Sequence, residues 1–142
     1  MEISATVVNQ NGRHRSMVRT ADKAQSLAIP AKAGGFGSAV NGGELLFLAL
    51  ATCYCNDIYR EAKERGLVVE SVEVQVTGRF GGKGEPAENI TYRASVKARG
   101  SETEVLDLMR HTDAVAEIHN TLRRATPVVL TECQVVQSSS RA

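Results

Sequence analysis

The residues of this chain with the greatest chemical reach are its three thiols, at Cys53, Cys55 and Cys133. A cysteine reacts as thiolate, and its proton must be loosened by a helix N-terminus or a nearby cation. The first route is closed to Cys53. It lies nine residues past Glu44 in a stretch that reads as one helix. At ~1.5 Å per residue that is ~13 Å along the axis, and the helix dipole fades within the first turn. A reactive Cys53 therefore needs a cation from elsewhere in the chain or from a second chain. Without one it is a small buried hydrophobe, the usual role of a free cysteine.

Cys55 stands two residues on, so its side chain points ~200° away on a helix, and disulfide geometry excludes a bond to Cys53. Cys133 shares a face with Val129 and Val135 in a C-terminal apolar run and reads as core. Asp57, one turn after Cys53 on the same face, can bind a polar substrate group or an Arg; its ordinary role is a solvated or paired acid. Left unpaired it would raise the thiol's pKa. Glu44 is by itself a first-turn acid that suits the helix dipole. His14, His111 and His119 share no ligand spacing, and no Lys-Ser/Thr follows the glycines before Glu44 to make a phosphate loop. No metal and no cofactor are expected.

Residues 2–8 read as a first strand and Asn9-Gln10-Asn11-Gly12 as a turn. Residues 16–20 and 24–29 read as the next two strands. The Gly-rich stretch 31–43 has neither helical nor strand period, and long loops of this kind are often functional. Asn41 is the expected N-cap of a helix over 44–65 that Gly66 stops. Its first half is apolar all round, so it must be covered on every side, which one small domain achieves only with a second subunit. Val72, Val74 and Val76, then Ile90, Tyr92, Ala94, Val96 and Ala98, alternate with polar residues as in an antiparallel pair with one wet face; residues 81–89 join them as a hairpin loop.

Ser101 and Glu104 have capping-box spacing ahead of Val105, Leu108 and Met109. Thr112 or Asp113 is expected to cap a further helix carrying Val115, Ile118 and Leu122. A last strand is expected over 128–136, then a frayed tail from 137. The order gives one α+β domain over 1–142.

With 17 Lys and Arg against 16 Asp and Glu, the net charge is +1. That balance carries no footprint for nucleic acid or an anionic membrane. The longest apolar run, 45–51, falls far short of the ~18 residues that span a bilayer. The N-terminal residues do not read as a signal peptide, and an odd cysteine count without framework spacing points to the reducing cytoplasm.

The segment 41–67, NGGELLFLALATCYCNDIYREAKERGL, resembles the central-helix signature of the OsmC/Ohr family of thiol-dependent hydroperoxide-handling proteins, in which a Cys stands eight residues past the first Leu. The Gly-rich loop before it and the order of elements after it also resemble that family. The resemblance implies an antiparallel sheet packed on a long central helix in an intertwined homodimer. It implies Cys53 as peroxidatic nucleophile, Arg13 as its electrostatic partner with Arg15 as substitute, and Glu44 as the acid that holds the Arg.

Two positions depart from the pattern. Gly43 stands where the hydroperoxide-resistance branch has its acid, and Glu44 matches the broader OsmC-like pattern instead. Ala116 stands where the family has a resolving Cys, so turnover would need an external thiol. Two functions follow from the resemblance: one-cysteine reduction of an organic hydroperoxide, or a dimer that binds a hydrophobic small molecule with Cys53 inert.

Overall fold

The structure, a computed structural model, describes residues 1–139. The chain forms β1 (Ile3–Gln10), β2 (Arg13–Thr20), β3 (Lys23–Leu27), α1 (Gly42–Glu64), β4 (Val68–Phe80), β5 (Ala87–Arg99), α2 (Glu102–Val115) and α3 (Glu117–Arg123). It is an α+β fold with two antiparallel sheets, ordered β1-β2-β3 and β4-β5.

Asn11 and Gly12 both take positive φ, 53° and 72°, the backbone that lets a two-residue turn follow the twist of its strands. This turn brings Gln10 opposite Arg13. The loop before α1 rests on it. A Cβ on Gly35 would lie 2.7 Å from Gly12 Cα, and Asn9 Nδ2 donates to the Gly37 carbonyl at 3.3 Å. The three-stranded sheet is tied to its chain through this loop rather than through a packed face.

The core lies between α1, the β4-β5 pair and α2. Tyr54, Ile58, Ala62 and Leu108 are buried at its centre, with Val72, Val74, Ala94 and Val96 packed against them. Val72 faces Val96, Val74 faces Ala94 and Val76 faces Tyr92 across the ladder, so the strand period puts one apolar row on the helix, as alternation requires. Tyr54 fastens α1 to α2 by donating to the Met109 carbonyl at 2.9 Å. The apolar first half of α1 is not covered all round within one chain: Leu50 is buried, but Leu48 is 59% exposed.

Two expectations are corrected. Residues 128–136 form no strand and join no ladder among the described residues. Val128, Val129, Leu130, Val135 and Val136 are exposed, and Cys133 is exposed rather than core. Neither Thr112 nor Asp113 caps a helix. Thr112 is buried inside α2 and its hydroxyl donates to the Leu108 carbonyl at 2.8 Å, so the helix runs on to Val115. It breaks at Ala116, which is extended and starts α3 without a side-chain cap. The fraying expected from 137 falls partly on 140–142, outside the described residues.

Candidate functional site

Asn41 and Glu44 open α1 with a reciprocal capping box. Asn41 Oδ1 accepts from the Glu44 amide at 2.8 Å, and Glu44 Oε1 accepts from the Asn41 amide at 3.1 Å. The helix so started carries Cys53, half-buried, on the side where α3 begins. The thiol donates to Asp57 Oδ2 at 3.5 Å, the i, i+4 distance of one helical turn. The backbone amide of Ile118 also reaches the sulfur.

Asp57 in turn holds Arg60. Arg60 Nη1 lies 3.1 Å from Asp57 Oδ1 and 3.2 Å from Glu117 Oε1, and its Nε lies 2.9 Å from Glu61 Oε1. Glu61 Oε2 meets His111 Nε2 at 2.8 Å. One guanidinium thus gathers acids from α1 and α3 beside the thiol, and Asp57 and Glu117 are close enough to share a hydrogen bond.

The electrostatics follow from those contacts. Burial pushes the Cys53 thiol up, and Asp57 pushes it further; the Ile118 amide acts the other way. Burial also raises Asp57, with Glu117 adding to it against the pull of Arg60. Glu117 is lowered by a backbone amide, with Arg60 and Asp57 helping. The two neighbouring carboxyls are thus pushed apart in proton affinity, Asp57 up and Glu117 down. Cys53, Asp57 and Glu117 also bring one ligand atom each within 4.8 Å of one another. The guanidinium of Arg60 already lies on both carboxylates, where its charge opposes a metal cation.

Arg13 and Arg15 lie on β2 in the three-stranded sheet, and neither forms an ion pair with Glu44 among the described residues. Arg15, with Val8, Met17, Leu27 and Ile29, lines an open concavity of about 630 Å³ on that sheet. Gly43 has a physical reason: a Cβ there would lie 2.7 Å from the Phe80 ring, which stacks on Phe47. Ala116 is fully buried at the α2–α3 junction.

The OsmC-like protein family model matches residues 35–131, the span from the Gly-rich loop to past α3. The chain belongs to the OsmC-like family. Among solved structures it is similar to an OsmC-like protein of Mycoplasma pneumoniae, at 19% identity over 87% of this chain and 88% of that one with a TM-score of 0.64. It is similar to an OsmC-like protein of unknown function from Vibrio cholerae, at 16% identity over 85% and 93% with a TM-score of 0.60. It is also similar to the organic hydroperoxide resistance protein OhrB of Bacillus subtilis, at 16% identity over 87% and 91% with a TM-score of 0.52. No curated protein matches it in sequence. At these identities the likeness to solved structures concerns the OsmC-like fold.

Sequence reasoning missed Arg60, Glu117 and His119. Arg60 was within reach, since Asp57 and Arg60 are three apart on the amphipathic half of α1. Glu117 was not, because only the docking of α3 brings it to Asp57. His119 is 4% exposed, and neither ring nitrogen has a hydrogen-bond partner. With Leu50, Val76, Ile90, Leu122 and Arg123 it walls a cavity of about 140 Å³.

Proposed function

We propose that this OsmC-like protein reduces organic hydroperoxides in the cytoplasm as defence against oxidative stress, with Cys53 as a one-cysteine nucleophile. The observation that carries this reading is Cys53 itself: half-buried, in the matched family segment, with the Ile118 amide and a proton acceptor at its sulfur. The sulfur attacks the outer oxygen of the O–O bond, an alcohol leaves, and Cys53 becomes a sulfenic acid. With Ala116 at the resolving position and Cys55 turned away, an external thiol such as glutathione reduces it: two thiols give a disulfide, water and the restored Cys53.

The working unit in this proposal is an intertwined homodimer. The exposed apolar residues of α1, of the three-stranded sheet and of residues 128–136 are the surfaces a second copy would cover. Burying such surface returns about 25 cal/mol per Å². The dimer would also bring a cation, Arg13 of the partner subunit or Arg15, to be held by Glu44, whose Oε1 is engaged in the cap. Neither nucleic acid nor a membrane enters this reading, and among the described residues no helix is long and apolar enough to cross a membrane.

A second reading has its own observation. The cavity beside His119, apolar on most of its walls, favours an OsmC-like dimer that binds a hydrophobic small molecule and leaves Cys53 protonated. Equimolar cumene hydroperoxide added to the reduced protein separates the two. Mass spectrometry should find sulfenic acid on Cys53, formed faster than on free cysteine. A rate no higher than that of free cysteine rejects the enzyme and leaves the binding module.

A further inference from the structure

We propose that Asp57 is a catalytic residue, the group that takes the proton from the Cys53 thiol and returns it to the departing alkoxide. This rests on the reading of Cys53 as a peroxidatic thiol and assigns it a proton carrier.

The geometry fits the task. Asp57 is buried, and its two oxygens face different partners: Oδ1 meets Arg60 at 3.1 Å and Oδ2 meets the sulfur at 3.5 Å. Arg60 thereby orients the carboxyl with one lone-pair edge turned to the thiol. The same guanidinium draws in Glu117 from α3, so a second acid stands beside Asp57 over one cation. Glu61 takes the other side of Arg60 and is itself held by His111 of α2. These are the charged and titratable groups around Asp57 from α1, α2 and α3.

The chemistry needs such a group twice. A thiol that keeps its proton must lose it before sulfur attacks. Cleavage of the O–O bond then puts an electron pair on the leaving oxygen, and an alkoxide is a far stronger base than any carboxylate. In the proposed step the thiol proton passes to Asp57, sulfur bonds to the outer oxygen, the O–O bond breaks, and the alkoxide takes the proton from Asp57. Cys53 thiol and hydroperoxide become sulfenic acid and alcohol, with nothing left over. A carboxyl whose proton affinity is raised by burial and by Glu117 suits both halves, since a proton carrier works best near the operating pH. Arg60 and Glu117 are positioning residues.

A bystander Asp57 would only hinder the thiol electrostatically, and this difference is measurable. Wild-type and Asp57→Asn proteins, both full length, are reacted at neutral pH with iodoacetamide and, separately, with cumene hydroperoxide. Iodide leaves without a proton; an alkoxide does not. Removing the negative charge should speed alkylation of Cys53 several-fold, because more of it is ionised. Sulfenic acid formation should slow by about a hundredfold or more, the usual weight of a lost general acid or base. Opposite changes support the role.

Changes in the same direction overturn it and leave the peroxidase reading intact. A wild-type protein that forms no sulfenic acid overturns both. Glu117→Gln, which leaves the Asp57 contact to sulfur in place, should show the same opposed pattern more weakly. If Asp57→Asn does not fold, the proposal stands or falls on that variant.

Discussion

The Cys53 thiol and Asp57 Oδ2 face each other across 3.5 Å, one turn apart on α1. An acid there favours the protonated thiol, and the Ile118 amide is what opposes it, while the Arg60 guanidinium is turned to the carboxylates of Asp57 and Glu117. A thiolate at neutral pH needs a further cation at the sulfur, which the proposed dimer would supply.

That dependence can be titrated. Leu48→Arg places a charge on the exposed face of α1 and should give a monomer in sedimentation. Followed by thiolate absorbance, Cys53 should ionise at higher pH in this monomer than in the wild-type dimer. Equal midpoints would remove the partner's Arg13 and Arg15 from the site.

The dimer itself makes a simpler prediction. Deleting residues 128–142 removes the exposed apolar side chains of 128–136, so the truncated protein should dissociate at concentrations where the full chain forms the proposed dimer. A monomeric full-length protein in dilute solution, or a truncation without effect, would count against the intertwined arrangement.

Glu44 has two possible duties that one substitution separates. Gln can replace Glu in a capping box, so Glu44→Gln should leave thermal stability unchanged, while Asn41→Ala should cost about 1 kcal/mol. If Glu44 also holds an Arg at the site, Glu44→Gln should slow sulfenic acid formation at unchanged stability. No change in rate reduces it to a cap.

His119 should make the protein acid-sensitive. Burial holds its imidazole below the ordinary value of 6.5, and Arg123 lowers it further against Asp113. The unfolded chain then binds the proton more readily, so this contribution to stability is fully present above pH ~6.5 and lost as pH falls through the folded value. His119→Phe removes both the titration and two unpartnered nitrogens. It should raise stability by about 1 kcal/mol near neutral pH, and its melting temperature should fall less on acidification. A destabilised, equally acid-sensitive variant would show that His119 is not the responsible group.

Much of the scaffold was legible in the chain because it rests on local rules. The Asn11-Gly12 turn, the cap at Asn41, the stop at Gly66 and the alternation through Val72–Val76 and Tyr92–Ala98 each follow from neighbours a few residues apart. Thr112 misled because a good capping residue is equally able to bond back to the carbonyl four residues earlier, and only burial against the core decides which it does. Residues 128–136 misled because strand propensity is spent only where a partner edge exists.

By itself, then, the order of residues determined the long central helix and its cap, which strand rows are apolar, and that a cysteine lies mid-helix with an acid one turn on. Tertiary structure alone decided that acid's company: α3 folds back so that Glu117 meets Asp57 over Arg60, and Phe80 occupies the space beside Gly43. Coulomb and hydrogen-bond terms act over a few ångströms, and residues sixty apart in sequence come within that range only after the chain has packed.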